Sequence, residues 1–439
     1  MTTQPAEAGA ASGTISQTIS PARANYVLAV LFAVMMLNFL DRQIIALLAE
    51  PIKREMKLTD QQIGLMTGLS FALVYTAISI PLATVADRWN RSRLIAIAVA
   101  AWSIATVMCG QAGSFAHLFL ARIGVGIGEA GSGPGSHSLI AALFPPERRA
   151  SALGILGAAI PVGSFLAYTG GGFMVQYFDW RTAFLLAGLP GLVVALLLWF
   201  TVPEPRGSPP ISAIFVRTPG APTFRAAVGE LVKIPAYWHL MAATTLISFI
   251  SYGLAAFTAG LVVRVHGISY GELGLKLGVM VGLTGFVGAI LGGRVGDWLN
   301  RLRPGLALHS VVLTMLLAGP GMIAAVYAPS ANLTFLLLAI PTFAATAYFG
   351  PTYAVIQKLA SDTNRALAVA LFVLPSGLIG LGLGPVFVGT LSDAFSGGIK
   401  ADEGAGLQRA LGILGLFYFW AAFHFWRAQA SLTKRASLT

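Results

Sequence analysis

A chain of 439 residues that is 56% hydrophobic and only 10% charged cannot cover itself with a water-facing surface, because soluble globular proteins carry roughly 25% charged residues. Its formal charge of +11 would suit a nucleic-acid binder, but the basic residues punctuate apolar segments instead of forming a reading surface, so nucleic acid is not an expected partner. One cysteine, Cys109, excludes an intramolecular disulfide or a cysteine-rich metal site.

Residues 1–24 are small and polar with no apolar run behind a basic start, and are expected to be a disordered cytoplasmic tail, not a cleaved signal peptide. Six apolar runs follow, at Tyr26–Leu48, Ile63–Ala86, Leu94–Gly113, Ala116–Phe144, Ser151–Tyr177 and Ala183–Val202. A polar, proline-rich linker is expected over 203–235. Six more runs follow it, at Tyr237–Val263, Leu277–Gly293, Leu306–Ala328, Leu333–Ile356, Ala366–Leu391 and Ala410–Trp426. A transmembrane helix needs about 20 mostly apolar residues, so these runs predict an all-α membrane protein of twelve spans. The halves are 25–202 and 236–427, with a cytoplasmic tail over 428–439. With both termini inside, eighteen Lys and Arg fall in cytoplasmic segments, eight in outer ones and two within spans. That asymmetry fits the positive-inside rule.

The halves repeat. Asp87-Arg-Trp-Asn90-Arg91-Ser-Arg93 after span two and Asp297-Trp-Leu-Asn300-Arg301-Leu-Arg303 after span eight share D-x-x-N-R-x-R at an offset of 210 residues. Pro161, Gly163, Gly170 and Asp179 recur as Pro375, Gly377, Gly384 and Asp393 at an offset of 214. Parallel repeats of this kind predict two six-helix bundles related by a pseudo-two-fold axis along the membrane normal, with a cavity between them at mid-depth.

These features resemble the major facilitator superfamily over essentially the whole chain. Its loop signature, G-x-L-a-D-R-x-G-R-R, is matched by Ala83-Thr-Val-Ala-Asp87-Arg88-Trp-Asn90-Arg91-Ser-Arg93. Ala83 and Asn90 replace the two glycines there, and Asn tolerates a left-handed backbone. Asn38-Phe-Leu-Asp41-Arg42 in span one and Arg122-x-Gly-x-Gly-x-Gly-Glu129 in span four are similar to the Spinster family in particular. Eukaryotic Spinster members export sphingosine-1-phosphate or move lysophospholipids, so the resemblance implies a bacterial transporter of a lipid or other amphiphile. The antiporter signature of span five, G-x-x-x-G-P-x-x-G-G, is met only loosely by Gly157-Ala-Ala-Ile-Pro161-Val-Gly163-Ser164. Exchange, symport and uncoupled facilitation stay open.

Four charges lie inside spans: Asp41, Arg42, Arg122 and Glu129. A charge at the bilayer centre costs at least about 2.5–3.5 kcal/mol unless paired or wet. At about 1.5 Å rise per residue, Asp41 lies about 21 Å, Arg122 about 24 Å and Glu129 about 13 Å from the inner face. Contact between spans one and four is therefore expected, with one arginine-carboxylate pair on each of two faces. Asp41 and Glu129 are candidate proton-coupling residues and Arg42 and Arg122 their charge partners, against the alternative of purely structural ion pairs. Arg42 could instead hold an anionic headgroup.

Asp87, Arg88, Arg91, Arg93, Asp297, Asn300 and Arg301 are expected to form a cytoplasmic gate, with topology anchoring as the competing role. Arg42, Tyr168, Phe249, Tyr252, Phe343 and Tyr353 are expected to line the substrate cavity, although helix-packing aromatics are the ordinary alternative. Gly124-Val-Gly126-Ile-Gly128 looks like a nucleotide fingerprint in outline, but inside an apolar span it predicts close helix packing. His137 is expected to be a core histidine. No catalytic constellation or metal-ligand spacing is present in the sequence, so neither an enzyme nor a cofactor is expected. The expected partners are an amphiphilic substrate, protons and membrane lipids, for a monomer in the bacterial inner membrane. The leading expectation is proton-coupled export of a lysolipid-like amphiphile. A multidrug or organic-anion exporter on the same fold is the first alternative and an uncoupled lipid facilitator the second.

Overall fold

The computed structural model describes residues 20–205, 229, 231, 233–302, 306–359, 371–397 and 402–436. The expected N-terminal tail up to residue 19, most of the linker, Arg303 and the side chains of Asp87 and Arg88 lie outside the described residues. Eleven described helices are long and apolar enough to cross a membrane. They begin with span one (Pro21–Met56) and end with span twelve (Glu403–Ala436). Span four completes the twelve, and it departs from its expected course. The run read as one helix is divided into Phe115–Glu129 and Ser132–Leu143 around Ala130 and Gly131. Span twelve also continues past Ala428 to Ala436, into the stretch expected as a tail.

Local chemistry sets the helix ends. Asn90 accepts from the Arg93 amide at 2.9 Å, and Ser114 from that of His117 at 3.3 Å. Asp179 accepts from the Thr182 amide at 2.6 Å. Each side chain satisfies an amide that the first helical turn leaves without a partner. Thr59 and Gln62 form a reciprocal capping box at the start of span two. Gly267, at φ 65°, ends span seven in the left-handed region that glycine occupies without a Cβ penalty. Spans two and eleven each contain a π-helical turn, at Leu65–Leu69 and Ser376–Leu381. Such turns often mark functional positions.

Within each half the helices pack in corresponding ways: spans three and six, and one and five, in the N-terminal half; spans nine and twelve, and seven and eleven, in the C-terminal half. Two seams join the halves, one between spans five and eight and one between spans two and eleven. Both are built on glycine. A Cβ on Gly172 would stand 2.4 Å from the Tyr270 carbonyl, and one on Gly64 2.4 Å from that of Pro385. The ends of the seams are related by the repeat. Gln176, closing span five, accepts from the Gly271 amide opening span eight at 2.6 Å. Asp393, in span eleven, accepts from the Asp60 and Gln61 amides opening span two at 2.9 and 2.8 Å. Each half thus caps a helix of the other.

All of these joints lie on the face away from the chain termini. Toward the terminal face spans five and eight part. Cβ atoms placed on Gly154 and Gly157 would meet nothing within 4 Å, and one on Gly285 would reach only Thr346 at 4.0 Å. The molecule is closed at its far face and hollow below.

Candidate functional site

Two cavities meet at the centre. The larger, of about 520 Å³, has walls from spans one, five, seven, eight, ten and twelve. Its lining runs from Tyr168 and Leu277 at mid-depth toward the terminal face at Gly154, Ile290 and Phe349. The lining contains no charged side chain. The smaller, of about 50 Å³, holds Arg42 and Arg122 with Phe39 and Phe71. Gln43, Tyr252 and Ala255 belong to both walls. The site therefore has a cationic end and a long apolar end, joined at Gln43 and Tyr252. The Tyr168 hydroxyl donates to Gln43 Oε1 at 3.1 Å, steadying that junction.

The cationic end belongs to a cluster of four charges on spans one and four. Arg42 Nε donates to Glu129 Oε2 at 2.5 Å, while Arg122 Nη1 is 3.9 Å from Asp41 Oδ1. Thus spans one and four share one tight pair and one loose pair. Arg42 keeps 18% of its side chain open, whereas Glu129 is sealed. The Arg42 guanidinium also leans on Tyr75 at 4.5 Å, Phe71 at 4.9 Å and Phe39 at 5.5 Å from their ring centres. Thr106, on span three, donates its hydroxyl to Asp41. Asn38 Nδ2, Asp41 Oδ1, Arg122 Nε and Nη1, and Glu129 Oε1 are buried with no hydrogen-bond partner among the described residues. Unsatisfied polar atoms are costly in a dry interior, and here they crowd around one cluster.

The expected cavity residues divide. Tyr168 and Tyr252 line the large cavity and Arg42 the small one. Phe249, Phe343 and Tyr353 are not in either lining. Phe249 packs between Phe387 and Phe417, at 5.3 and 5.6 Å. Tyr353 stands edge-on to Phe372 at 5.6 Å. The Phe343 backbone supports span eight at Gly288. For these three, helix packing is the role the contacts show. The glycines of the fingerprint-like run do the same, since a Cβ on Gly128 would stand 2.5 Å from the Trp102 nitrogen.

Among the described residues expected at a cytoplasmic gate, the contacts found are local. Arg91 is buried against Glu204 at 2.5 Å and donates to the Ser138 carbonyl at 2.9 Å. Arg93 leans on Trp199 at 5.5 Å. Asn300 accepts from the Ala307 amide at 3.4 Å, and Arg301 from its own helix reaches the Asp297 carbonyl at 3.4 Å. Asp297 is exposed. None of these contacts crosses between the halves.

Sequence reasoning missed the charged closure of the far face. Arg264 of span seven donates to both Asp60 oxygens, at 2.7 and 2.7 Å, and to Glu50 at 2.9 Å. Lys53 bridges Asp60 at 2.9 Å and Glu403 of span twelve at 2.8 Å. The Ser392 hydroxyl adds a bond to Asp60 at 2.6 Å. The only signal in the sequence was Glu50, Glu55 and Asp60 close to Lys53 and Arg54, with Arg264 at the end of span seven, all of which a topology count treats as loop charges. Their pairing joins segments 204 to 350 residues apart.

The comparisons agree with this architecture. A family model described as Major Facilitator Superfamily matches residues 31–385. An MFS-type efflux pump of Mycolicibacterium smegmatis is 34% identical, over 93% of this chain and 94% of that one. Human protein spinster homolog 1 is 26% identical, over 85% of this chain and 74% of its own. Among solved structures, a bacterial homologue of the human lysosomal transporter Spinster, inward-facing and unoccupied, superposes with a TM-score of 0.84 at 32% identity, over 95% of this chain and 99% of that one. The chain belongs to the Major Facilitator Superfamily, as a transporter resembling its Spinster members.

Proposed function

We propose that this transporter is a proton-coupled exporter of a lysolipid-like amphiphile, held here in its inward-facing state with the terminal face toward the cytoplasm. The observation that carries the reading is the bipartite cavity, in which an uncharged chamber of about 520 Å³ shares Gln43 and Tyr252 with a pocket containing two arginines. A tail fits the first, and the arginines of the second offer an anionic headgroup its counter-charge. The parting of spans five and eight toward the terminal face offers a tail a path from the inner leaflet.

The charges supply the coupling. A headgroup anion and Glu129 compete for Arg42, so occupancy of the site and the state of Glu129 are linked. Proton-driven export requires proton and substrate to displace one another. A zwitterionic headgroup meets that requirement. Its phosphate takes Glu129's place on Arg42, its ammonium takes Arg42's place on Glu129, and a proton on Glu129 then removes the ammonium's counter-charge. A purely anionic amphiphile would instead move together with the proton.

The test uses proteoliposomes enclosing a pH-sensitive dye, with and without lysophosphatidylcholine. Lipid-dependent proton flux that disappears in Asp41→Asn and Glu129→Gln is the expected result. Lipid movement with no proton flux would leave a facilitator and reduce the four charges to structural pairs. A second reading, export of drug-like organic molecules, is favoured by the 34% identical relative named as an efflux pump. Competition by cationic dyes but not by lysolipids would select it.

A further inference from the structure

Phe71 occupies an unusual position among the buried groups. Its ring centre is 4.9 Å from Cζ of Arg42 and 5.4 Å from Cζ of Arg122. One ring thus supports the arginine of each pair, and it is buried to 1% exposure. Tyr75, one turn on, stacks against it at 5.1 Å. The other titratable or charged groups around the cluster are Asp41 and Arg42 on span one, Cys109 on span three, Arg122 and Glu129 on span four, and Tyr252 on span seven.

The backbone that carries Phe71 is clamped from two sides. On one side, span four presses on it, since a Cβ on Gly126 would lie 3.0 Å from the Phe71 carbonyl oxygen. On the other, the π-helical turn Leu65–Leu69 immediately precedes it. That turn is where span two touches the other half: a Cβ on Gly68 would stand 2.7 Å from the Gly382 carbonyl oxygen and 3.1 Å from the Pro385 ring. Span eleven brings its own π turn, Ser376–Leu381, to the same seam. A π turn holds one residue more than an α turn, and such turns are frequent at functional sites. Rocking of the C-terminal half therefore pulls on the span-two segment that ends in the Phe71 ring.

We propose that Phe71 is the positioning residue that couples movement between the halves to the buried ion pairs, by shifting its ring support between Arg42 and Arg122 as span two moves. This inference rests on the proton-coupled reading above. A ring that withdraws from Arg42 weakens the hold on the guanidinium that faces Glu129, and a ring that withdraws from Arg122 loosens the already long contact with Asp41. Either change alters the stability of a carboxylate's charge without any substitution among the four charged residues.

The experiment compares full-length wild type with Phe71→Met, which keeps the volume and apolarity but removes the ring, and Phe71→Tyr, which keeps the ring. Protons moved per lysophosphatidylcholine are measured in dye-loaded proteoliposomes. Phe71→Met is expected to lower that ratio by roughly threefold, the scale of a lost cation–π contact, while lipid movement persists. Phe71→Tyr is expected to retain the wild-type ratio. An unchanged ratio in Phe71→Met overturns the proposal. If Phe71→Met does not fold, the ratio is read in Phe71→Leu, and an unchanged value there overturns it equally. Lipid movement without proton flux in wild type overturns the proton-coupled reading itself, and this inference with it.

Discussion

Two charge networks in this molecule have opposite character. At the far face, Arg264, Asp60, Glu50, Lys53 and Glu403 are joined at 2.7–2.9 Å, with the Ser392 hydroxyl adding to Asp60. In the N-terminal interior, Arg122 and Asp41 stand 3.9 Å apart and several polar atoms find no partner. The first network spans the two halves; the second lies within one. A saturated network across an interface resists separation, whereas an unsaturated one inside a bundle responds to small changes of solvation or geometry. On the proposed reading, the difference makes the far face a latch and the interior a switch. The latch is also built to open. After separation the N-terminal half would keep Arg54 with Glu50, at 3.1 Å, and Lys53 with Asp60. The C-terminal half would keep Arg264 near Glu403, now at 3.9 Å. Neither side is left with a lone buried charge, the case that costs most.

The largest effect is expected at the switch. Glu129→Gln retains the shape of the Arg42 contact and removes the titrating group. Lipid-driven proton flux in proteoliposomes should fall by about a hundredfold, equivalent to ~2.7 kcal/mol. Survival of the flux would transfer the role to Asp41 or end the comparison. Next comes the latch. Asp60→Asn weakens the bonds to Arg264 and Lys53, and the far face should open by about 2 kcal/mol, roughly thirtyfold in the ratio of states. Spin labels at Gln61 and Ala394, on opposite sides of that closure, would report it as a longer distance. The pH dependence of proton flux should remain in Asp60→Asn and vanish in Glu129→Gln. A reversal of that order would merge latch and switch into one device.

The two networks were unequally legible. Asp41, Arg42, Arg122 and Glu129 announce themselves because charge is anomalous in apolar runs, and helical rise places Asp41 and Arg122 at matching depths, with Glu129 nearer the inner face. Twelve spans and the internal repeat follow from the same periodicity and from D-x-x-N-R-x-R. The far-face network does not show in local sequence, because Asp60 and Arg264 look like helix-end charges until the fold brings them together across 204 positions. Cavity lining was half visible. Aromatic residues drew attention, yet Phe249 and Tyr353 pack on other rings, while Gly154, Gly157 and Pro161 form wall simply by leaving space. The break in span four escaped notice since apolar composition continues through Ala130 and Gly131. What hydrophobicity encodes is readable. What depends on a distant partner is not.

A third charged feature tests whether every buried pair contributes to switching. Arg91 and Glu204 are each 2% exposed, and they tie the loop after span two to the segment after span six. The pair joins the N-terminal half to the first residues of the linker and not to the C-terminal half, so Glu204→Gln should lower thermal stability by about 1.5 kcal/mol and leave the Gln61–Ala394 distance unchanged. A lengthened distance would instead place this pair in the gating machinery, as the motif's position first suggested.

The smallest effect is expected at Asp179, which lies between spans five and six and repeats as Asp393. Its carboxylate accepts from the Thr182 amide at 2.6 Å, and that bond holds its pKa below the ordinary value of 3.8. The sign follows from the depression: the cap's contribution is present above the unfolded pKa and is lost as pH falls through the lower, folded value. Asp179→Ala should cost about 1 kcal/mol at neutral pH. Asp179→Asn should retain most of that contribution and remove its acid dependence, since an amide oxygen caps a helix without titrating. Melting curves of purified protein at pH 7 and near pH 3 separate these cases. An equal loss in both variants at pH 7 would mean that Asp179 acts through its charge and not only as a cap.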